Sequence, residues 1–493
     1  MAQSLLAGPR RAGVLFHPTS LPGPWASGVL GADGRRFADW LKEAGFSLWQ
    51  MLPVGPVGAA GSPYQSASAF AGNARLIDPG ELVEAGWLGA DAVATAIGRG
   101  GQWEQRQALL REAWSNFRRG ARPADREAFQ QFWQEQRGWL VPVALYRAAV
   151  ARFGGGGWWT WPEDLRHRRR DAVLAFMKEA AADIREVAFE QWVFMRQWRR
   201  LRDHAAGCGV QLLGDLPIYV DLDGADVWWH RHLFRVSPDG QALAVAGVPP
   251  DYFSETGQLW GNPLYDWAAM AESGFSWWIE RVRAQLGRFD YLRIDHFRGL
   301  QAYWEIPAGA ASAREGRWRD APGAALLTAL DKTFANGPFL AEDLGTITPE
   351  VHALRRQFGL PGMLIAQFAF DGSRDNPYLP ANQVEDAVIY TGTHDNDTVA
   401  GWCQGLDERS RRYVCEVLAC SPEAIPAALV RSVRQSPAHV AMFPLQDLLL
   451  LGSGARMNTP GTVTGNWQWR LKWEQMPASL AGDWHNWLRE SGR

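Results

Sequence analysis

The chain has 493 residues, of which 47% are hydrophobic, so it can bury the core of two or three domains or of one large barrel with insertions. Its formal net charge of -3 gives no clustered basic excess, which argues against nucleic acid or a membrane surface as a partner. No stretch has the apolar run of a signal peptide or a membrane span. The cysteines form no paired C-x-x-C motif, which predicts reduced thiols and a cytoplasmic protein.

Short apolar runs recur along the chain and predict buried parallel strands, most of them separated by helical patterns. The eight runs are 13–17, 47–52, 210–215, 291–295, 339–343, 364–370, 387–391 and 439–443. Eight strands that alternate with helices indicate an α/β fold of the (β/α)8 TIM barrel type. A doubly wound sheet is the alternative, but no Gly-x-Gly-x-x-Gly motif follows the first strand.

Two gaps between the predicted strands are too long for a single crossover. Residues 53–209 are rich in helix formers and Arg, and they predict a mainly helical subdomain inserted into one catalytic barrel that spans 1–493. Residues 216–275 are rich in Pro, Gly, Asp and aromatic residues, and they predict an insertion that carries a long loop over the active site.

Several predicted strands end on acidic residues, namely Asp215, Asp295 and the pair Glu342-Asp343, while Asp395 follows the seventh strand closely. Because the carboxyl ends of barrel strands converge on one face, we expect these carboxylates to surround one pocket. Two carboxyl groups with different pKa values are what cleavage of a glycosidic bond requires, since one must attack and the other must donate a proton.

The neighbours of two acids in the sequence indicate how their roles divide. Arg293 lies two residues before Asp295, faces the same side of the strand and would keep that aspartate ionised. Glu342 has no cation nearby in the sequence, which favours a carboxyl group that its surroundings keep protonated.

The same residues are open to other interpretations. An Asp at the end of one strand is more often a helix cap or a salt-bridge partner. Clusters of Asp, Glu and His also bind metals, but His17, His296 and His394 show no i, i+4 pair, so no metal ligand is predicted. His394 either binds a substrate hydroxyl or is structural.

Aromatic residues in segment 251–263 indicate the class of substrate. Tyr252, Phe253 and Trp260 alternate with turn formers and with Asp, Gln and Asn side chains. Exposed rings beside such groups suit sugars, whose faces stack on rings while their edges form hydrogen bonds. This surface is expected to be extended by Tyr64, Trp228, Trp229 and Trp304.

These segments resemble the 4-α-glucanotransferases (amylomaltases or disproportionating enzymes) of glycoside hydrolase family 77. The resemblance extends over essentially the whole chain. Its motifs are Ser62-Pro63-Tyr64-Gln65, Gly214-Asp215-Leu216-Pro217, the segment from Gly247 to Pro263, Arg293-Ile294-Asp295-His296-Phe297-Arg298-Gly299, Ala341-Glu342-Asp343-Leu344-Gly345, Thr393-His394-Asp395-Asn396-Asp397-Thr398, Asn458-Thr459-Pro460-Gly461-Thr462 and Gly465-Asn466-Trp467.

The resemblance implies that Asp295 is the nucleophile, that Glu342 is the general acid and base, and that Asp395 stabilises the transition state. It also implies a set of substrate-binding residues, which are Tyr64, Asp215, Asp251, Gln258, Trp260, Arg293, His394 and Asn466. The implied reaction transfers part of an α-1,4-glucan to glucose or another malto-oligosaccharide. No cofactor is implied, and no metal is expected to be required for catalysis.

One segment departs from the family pattern. Many members have an aromatic residue followed by Gly-Asp before Ser-Pro-Tyr, where this chain has Ala59-Ala60-Gly61, so an aromatic platform for long glucans is expected to be missing.

Two other functions also remain open. Carboxylates alone do not distinguish a transferase from an ordinary α-glucan hydrolase, and a catalytically silent glucan-binding protein would share the aromatic loop.

Overall fold

The strands of the barrel come from both ends and the middle of the chain. The computed structural model describes residues 4–58, 60–250, 255–334 and 337–493. Within these ranges the strands are β1 (Arg11–Leu15), β2 (Leu48–Gln50), β3 (Gln211–Leu216), β4 (Ala244–Val248), β5 (Gln258–Pro263), β6 (Tyr291–Ile294), β7 (Ala302–Pro307), β8 (Arg317–Asp320), β9 (Phe339–Ala341), β10 (Gly362–Ile365), β11 (Ala387–Tyr390) and β12 (Val440–Pro444).

Eight of the described strands form one parallel sheet in the order β10-β11-β12-β1-β2-β3-β6-β9. The end strands of this sheet approach each other, since the Ala341 amide donates a hydrogen bond of 3.0 Å to the carbonyl of Pro361, just before β10. The sheet is therefore nearly closed on itself. The predicted (β/α)8 barrel is confirmed, and the doubly wound alternative is excluded.

The carboxylate of Asp343 bridges the seam between β9 and β10. It accepts a hydrogen bond of 2.8 Å from the Met363 amide and lies 3.1 Å from Nε of Arg355. A Cβ atom on Gly362 would lie 2.6 Å from an Asp343 oxygen, so this close approach requires glycine. Asp343 thus holds the seam, although the sequence grouped it with the acids of the pocket.

The sixth predicted strand was placed too late and made too long. The sequence predicted a strand over 364–370, whereas β10 spans Gly362–Ile365 and a 3-10 helix follows at Ala366–Ala369. Ala366 and Ala369 are buried in that helix. A hydrophobic run records burial and does not by itself separate a strand from the buried turn after it.

The helices up to β3 lie mostly in one long segment. In chain order they are α1 (Ala32–Glu43), α2 (Pro79–Glu84), α3 (Ala90–Gly98), α4 (Trp103–Gly120), α5 (Pro123–Phe153), α6 (Glu163–Arg166), α7 (Arg170–Glu179) and α8 (Ala181–Gly207). A ring cluster joins α4, α5 and α8 to the turn after α2, and it consists of Trp87, Phe117, Phe129, Phe189 and Trp192. The division of the chain into a barrel with insertions at 53–209 and 216–275 stays a prediction.

The later helices cover the barrel between and after its remaining strands. They are α9 (Ala225–Trp229), α10 (Trp267–Glu272), α11 (Ser276–Leu286), α12 (Gly323–Thr333), α13 (Pro349–Gln357), α14 (Val399–Gln404), α15 (Glu408–Leu418), α16 (Ile425–Gln435), α17 (Leu445–Leu448) and α18 (Leu480–Glu490). In the described part of the chain, no helix taken singly has the length and apolar character to cross a membrane. The bent pair 408–418 and 422–435, at 75°, meets that test jointly.

Segment 216–275 contains more regular structure than the predicted loop. Its strands β4 and β5 pair with each other, and β4 also pairs with β7, in an antiparallel sheet of order β5-β4-β7-β8. Two of these strands, β7 and β8, come from outside the segment, so its own composition could not reveal the pairing.

Trp228 is not part of the predicted exposed aromatic surface, because it is fully buried and packs edge-on against Trp161 with ring centroids 5.2 Å apart. The indole of Trp304 donates a hydrogen bond of 2.8 Å to the carbonyl of Ala313.

We predict that Gly13→Ala destabilises the barrel. The new Cβ atom would lie 2.6 Å from Cβ of Leu48 and 2.8 Å from the Met442 methyl group, so neighbouring strands would have to move. We expect a loss of about 1–3 kcal/mol in the free energy of unfolding, measured by urea titration. Gly482→Ala in α18 is the control, since no atom lies within 4 Å of its new Cβ, and it should stabilise by up to about 1 kcal/mol. Equal stability of G13A and wild type would contradict the packing argument.

Candidate active site

Three acids of the pocket, Asp215, Asp295 and Glu342, lie at the carboxyl ends of the adjacent strands β3, β6 and β9. Asp215 pairs in register with Arg293, and Arg293 pairs with Leu340 on the other side. Asp295 directly follows β6, and Glu342 directly follows β9. Because the strands are parallel and in register, these side chains emerge on the same face of the barrel, as the sequence predicted.

The guanidinium of Arg293 lies among these carboxylates. Its Nη1 atom is 2.7 Å from Oδ2 of Asp215 and 3.0 Å from Oδ1 of Asp295, and its Nη2 atom is 3.7 Å from Oε2 of Glu342. Burial by itself lowers the pKa of Arg293, but the surrounding acids raise it well above its usual value. Arg293 is therefore a permanent positive charge that compensates the clustered acids.

The acids differ in how far water or a substrate can reach them. The exposed fraction of the side chain is 0% for Asp215, 14% for Glu342, 25% for Asp295 and 49% for Asp395. Asp215 thus forms the floor of the pocket, and Asp395 lies at its rim. Asp295 and Glu342 lie between them, where a ligand can contact both.

Glu342 is the acid with the most strongly altered protonation. Burial raises its pKa to about 8, the Arg293 charge opposes this, and the charge of Asp295 adds to it. No cation is close to Glu342 along the chain. Arg293 does lie near it in space, but its attraction is weaker than the burial effect. The main-chain N–H of His296 also donates to Oε2 of Glu342.

The backbone turns sharply directly after Asp295. His296 adopts a left-handed conformation with φ of 49°, which is unfavourable for a residue other than glycine. This turn lets the His296 amide point at Glu342. The ring of His296 meets the indole of Trp260 edge-on, with centroids 4.9 Å apart, so the turn also connects the acids to β5.

Tyr64 joins the floor of the pocket to its rim. Its hydroxyl donates a hydrogen bond of 2.7 Å to Oδ2 of Asp215, and its ring stacks on His394 with centroids 5.2 Å apart. The pKa of Tyr64 is raised by burial first, and then by Asp215 and other acids that include Asp295 and Asp395. The structure therefore brings together six of the predicted site residues, which are Tyr64, Asp215, Arg293, Asp295, His394 and Asp395.

Asp395 is held by residues whose roles the sequence did not indicate. The amide of Asn458 donates a hydrogen bond of 2.6 Å to its Oδ1 atom, and Arg456 donates one of 2.5 Å to its main-chain carbonyl. His394 Nε2 lies 3.4 Å from its Oδ2 atom. Asn458 belongs to a motif that carried the family resemblance, but only the fold reveals that it contacts Asp395.

The remaining predicted residues have different surroundings. Gln258 is exposed on β5 and accepts a hydrogen bond of 3.0 Å from the indole N–H of Trp260. Asp251 lies outside the described residues, as does Ala59 in the segment that departs from the family pattern.

Asn466 orders its own loop. Its Oδ1 atom accepts from the Thr459 amide at 2.9 Å, and its Nδ2 atom donates to the Thr462 carbonyl at 3.0 Å. The next residue, Trp467, has a left-handed φ of 63°, and its ring lies 6.0 Å from that of His394. Trp467 is thus an aromatic residue of the pocket that the sequence did not single out as one.

Asp447 forms hydrogen bonds to both ends of the loop that carries His394 and Asp395. It is 1% exposed on α17, where its Oδ2 atom accepts from the Thr391 hydroxyl at 2.6 Å and its Oδ1 atom accepts from the Val399 amide at 2.8 Å. Thr391 precedes the loop and Val399 begins α14 after it. Asp447 therefore fixes both ends of the loop without lying in the pocket.

Comparison with known proteins agrees with this site. A family model described as 4-alpha-glucanotransferase matches residues 16–476. The chain belongs to this family. It is 47% identical over 474 residues to the 4-alpha-glucanotransferase of Thermus thermophilus, with 94% of this chain and 95% of that protein covered. The corresponding protein of Synechocystis is 43% identical over 484 residues, with 96% of each covered.

Solved structures lead to the same family. The amylomaltase of Streptococcus agalactiae in complex with acarbose has a TM-score of 0.94 to this chain and 34% sequence identity, and the match covers 98% of this chain and 99% of that one. The chain is thus an enzyme of the 4-alpha-glucanotransferase family with the barrel of an amylomaltase.

We predict that Asp447→Ala lowers both stability and activity of this 4-alpha-glucanotransferase. The change leaves the Thr391 hydroxyl and the Val399 amide buried without an acceptor, at about 1–3 kcal/mol for each. The loop that holds Asp395 then loses both anchors, so kcat for maltotriose disproportionation should fall together with the melting temperature.

Asp407→Ala is the matched control, since Asp407 accepts from the Ser410 amide at 2.8 Å as the cap of α15. It should cost about 1 kcal/mol of stability and leave kcat unchanged. A kcat of D447A equal to that of D407A would show that the two hydrogen bonds of Asp447 to the loop have no effect on the active site.

Proposed function

We propose that this enzyme transfers a segment of an α-1,4-glucan to the 4-hydroxyl of glucose or of another α-1,4-glucan by a retaining double displacement. The observation that carries the proposal is that Asp295 and Glu342 share the guanidinium of Arg293, and that burial raises the pKa of Glu342 to about 8. A retaining mechanism needs one ionised carboxylate and one protonated carboxyl group beside the same bond.

In the first step, a carboxylate oxygen of Asp295 attacks C1 of the donor sugar. The bond from C1 to the leaving oxygen breaks, and Glu342 gives its proton to that oxygen. The Arg293 guanidinium lies 3.0 Å from Oδ1 of Asp295 and holds this side chain beside Glu342. The product of the step is a glycosyl ester of Asp295 with Glu342 ionised.

In the second step, the roles of Glu342 and the sugar oxygen are reversed. The 4-hydroxyl of the acceptor loses its proton to the Glu342 carboxylate and attacks C1, and the bond to Asp295 breaks. The Arg293 charge and the His296 amide both stabilise the ionised form of Glu342 during the lifetime of the ester. Glu342 regains its proton, and the site returns to its starting state.

Asp395 and the residues around it are proposed to bind the sugar at the reacting carbon. Asp395 is partly exposed and its Oδ1 atom is oriented by Asn458, so its carboxylate can accept hydrogen bonds from sugar hydroxyls. Tyr64, His394 and Trp467 provide ring faces next to it. Asp215 supports Tyr64 and Arg293 from below.

Transfer rather than hydrolysis requires that an acceptor sugar compete successfully with water for the ester. Trp260 and Gln258, on β5, are proposed to bind this acceptor, because the Trp260 ring lies against His296 directly after Asp295. Asp251 and Asn466 remain proposed substrate contacts on the strength of the family resemblance. We also propose that the enzyme acts in the cytoplasm, since all four cysteines are free.

We predict that wild-type enzyme incubated with maltotriose forms glucose together with oligosaccharides longer than maltotriose. Asp295→Asn should reduce this turnover by about 10⁴-fold or more, because the amide cannot form the ester. The measurement is product size by chromatography, with free glucose counted separately. An α-glucan hydrolase would release reducing sugar without longer products, and a silent glucan-binding protein would show no turnover that D295N could remove.

The matched variant is Glu342→Gln with maltosyl fluoride, whose leaving group needs no proton. Its glycosyl ester should accumulate, because the variant lacks the base for the second step, and mass spectrometry should detect the added sugar on the peptide that contains Asp295. An adduct on any other residue would contradict the assignment of the nucleophile.

The raised pKa of Glu342 predicts the basic limb of the pH profile. Below about 8 this carboxyl group is protonated and can donate, whereas above about 8 it loses its proton. We therefore expect kcat/KM for maltotriose to fall about tenfold per pH unit above that value. With maltosyl fluoride as the donor, the rate of glycosyl ester formation should not fall above this pH, because the fluoride leaving group needs no proton. A decline that already begins near the ordinary glutamate pKa would contradict the proposed environment of Glu342.

A further inference from the structure

A second group of polar side chains meets at the amino end of β3, whereas the acids of the active site follow the carboxyl ends of the strands. Asp39 lies on α1, and His204 and Cys208 lie at the end of α8, shortly before β3 begins at Gln211. One donor atom from each of the three residues lies within 4.8 Å of the other two. Nothing in the proposed mechanism uses this group.

The three side chains converge on one oxygen atom. Nε2 of His204 lies 2.7 Å from Oδ1 of Asp39, and Sγ of Cys208 lies 3.4 Å from the same oxygen. The side chains of Asp39 and His204 are 53% and 35% exposed, so an ion from solvent can reach them. The group is thus both preassembled and accessible.

The fold explains why these residues meet although Asp39 and His204 are 165 positions apart. His204 and Cys208 are four positions apart, so both project from the same face at the end of α8. Helix α1 approaches α8 closely at Gly34, where an added Cβ atom would lie 3.3 Å from a methyl group of Leu201. This approach brings Asp39 to the end of α8.

We propose that Asp39, His204 and Cys208 bind one Zn²⁺ ion with tetrahedral geometry, in which water takes the fourth position. One imidazole nitrogen, one thiolate and one carboxylate oxygen are the donor types that Zn²⁺ prefers. Zinc bonds of about 2.0–2.3 Å at tetrahedral angles separate neighbouring ligand atoms by about 3.3–3.8 Å. The Sγ–Oδ1 separation of 3.4 Å lies in this range, whereas the Nε2–Oδ1 separation of 2.7 Å is shorter, so the His204 and Asp39 side chains would have to rotate apart to admit the ion.

A hydrogen-bonded His204–Asp39 pair with a nearby thiol is the alternative to a metal site. In that case the thiol stays protonated, since burial first and then the Asp39 hydrogen bond raise the pKa of Cys208, while Lys42 opposes them. Zinc would take the place of the protons now shared with Asp39, because a coordinating thiol is deprotonated by the ion. The two interpretations therefore differ in a measurable product, a metal–thiolate bond.

A bound zinc ion would link α1 to the end of α8, because its ligands come from both helices. These helices precede β2 and β3, two neighbouring strands of the barrel. Ligation of the folded state raises stability by mass action without altering the distant carboxylates. The zinc site would hence act on stability and leave the transfer reaction unchanged.

The test uses the full-length enzyme after chelator treatment and dialysis. Isothermal titration with ZnCl₂ should give one ion per chain and raise the melting temperature. CoCl₂ should produce the near-ultraviolet absorption of a thiolate–cobalt bond. Cys208→Ser and His204→Ala should each weaken zinc binding by at least about 10-fold, with kcat for maltotriose unchanged. Cys208→Ser should also abolish the cobalt band, because it removes the thiolate.

Cys415→Ser is the matched control, because Cys415 is another partly buried free cysteine on α15, and this variant should keep both zinc binding and the cobalt band. The proposal fails if the wild-type chain binds no Zn²⁺. It also fails if C208S binds Zn²⁺ as tightly as the wild type, since the ion would then lie elsewhere, or if the cobalt complex lacks the thiolate band.

Discussion

The contact of the Arg293 guanidinium with the acids from β3, β6 and β9 is the interaction on which the site depends. Burying a guanidinium or a carboxylate alone costs several kcal/mol, whereas together they compensate each other. Because Arg293 carries a permanent charge, the arrangement survives a change in protonation of any one acid. The barrel can therefore hold Asp295 and Glu342 close together while Glu342 gains and loses a proton.

The barrel contributes a second constraint, because it sets how deeply each acid is buried. Asp215 is fully buried and supports Tyr64 and Arg293, while Asp395 lies at the rim on a loop between β11 and α14. That loop is held from outside the pocket by Asp447 and by Asn458. Similar carboxyl groups thus acquire different properties from depth and neighbours rather than from their own chemistry.

Much of the fold and the centre of the site could be predicted, and the errors have a common cause. Apolar runs located the strands because each barrel strand is buried on both faces, and the acids that end several of them gave the location of the pocket. The predicted limits of β10 were wrong, since a hydrophobic run does not define where a strand ends. The strands β4 and β5 were missed, since β4 pairs with β7, which lies outside the segment 216–275. Trp228 was wrongly assigned to an exposed surface because sequence alone does not separate a buried ring from an accessible one.

By itself, the sequence determined that this chain forms an eight-stranded α/β barrel, that acids end adjacent strands, and that its motifs are those of a 4-alpha-glucanotransferase. Only the tertiary structure decided that burial is what raises the pKa of Glu342 despite the nearby Arg293, that Asp343 closes the barrel seam and that Asn458 holds Asp395. Only the tertiary structure brought Asp39 to His204. The reason is that burial and contacts between distant segments arise from packing, which depends on the whole chain, whereas periodicity and strand-end residues are local properties of the sequence.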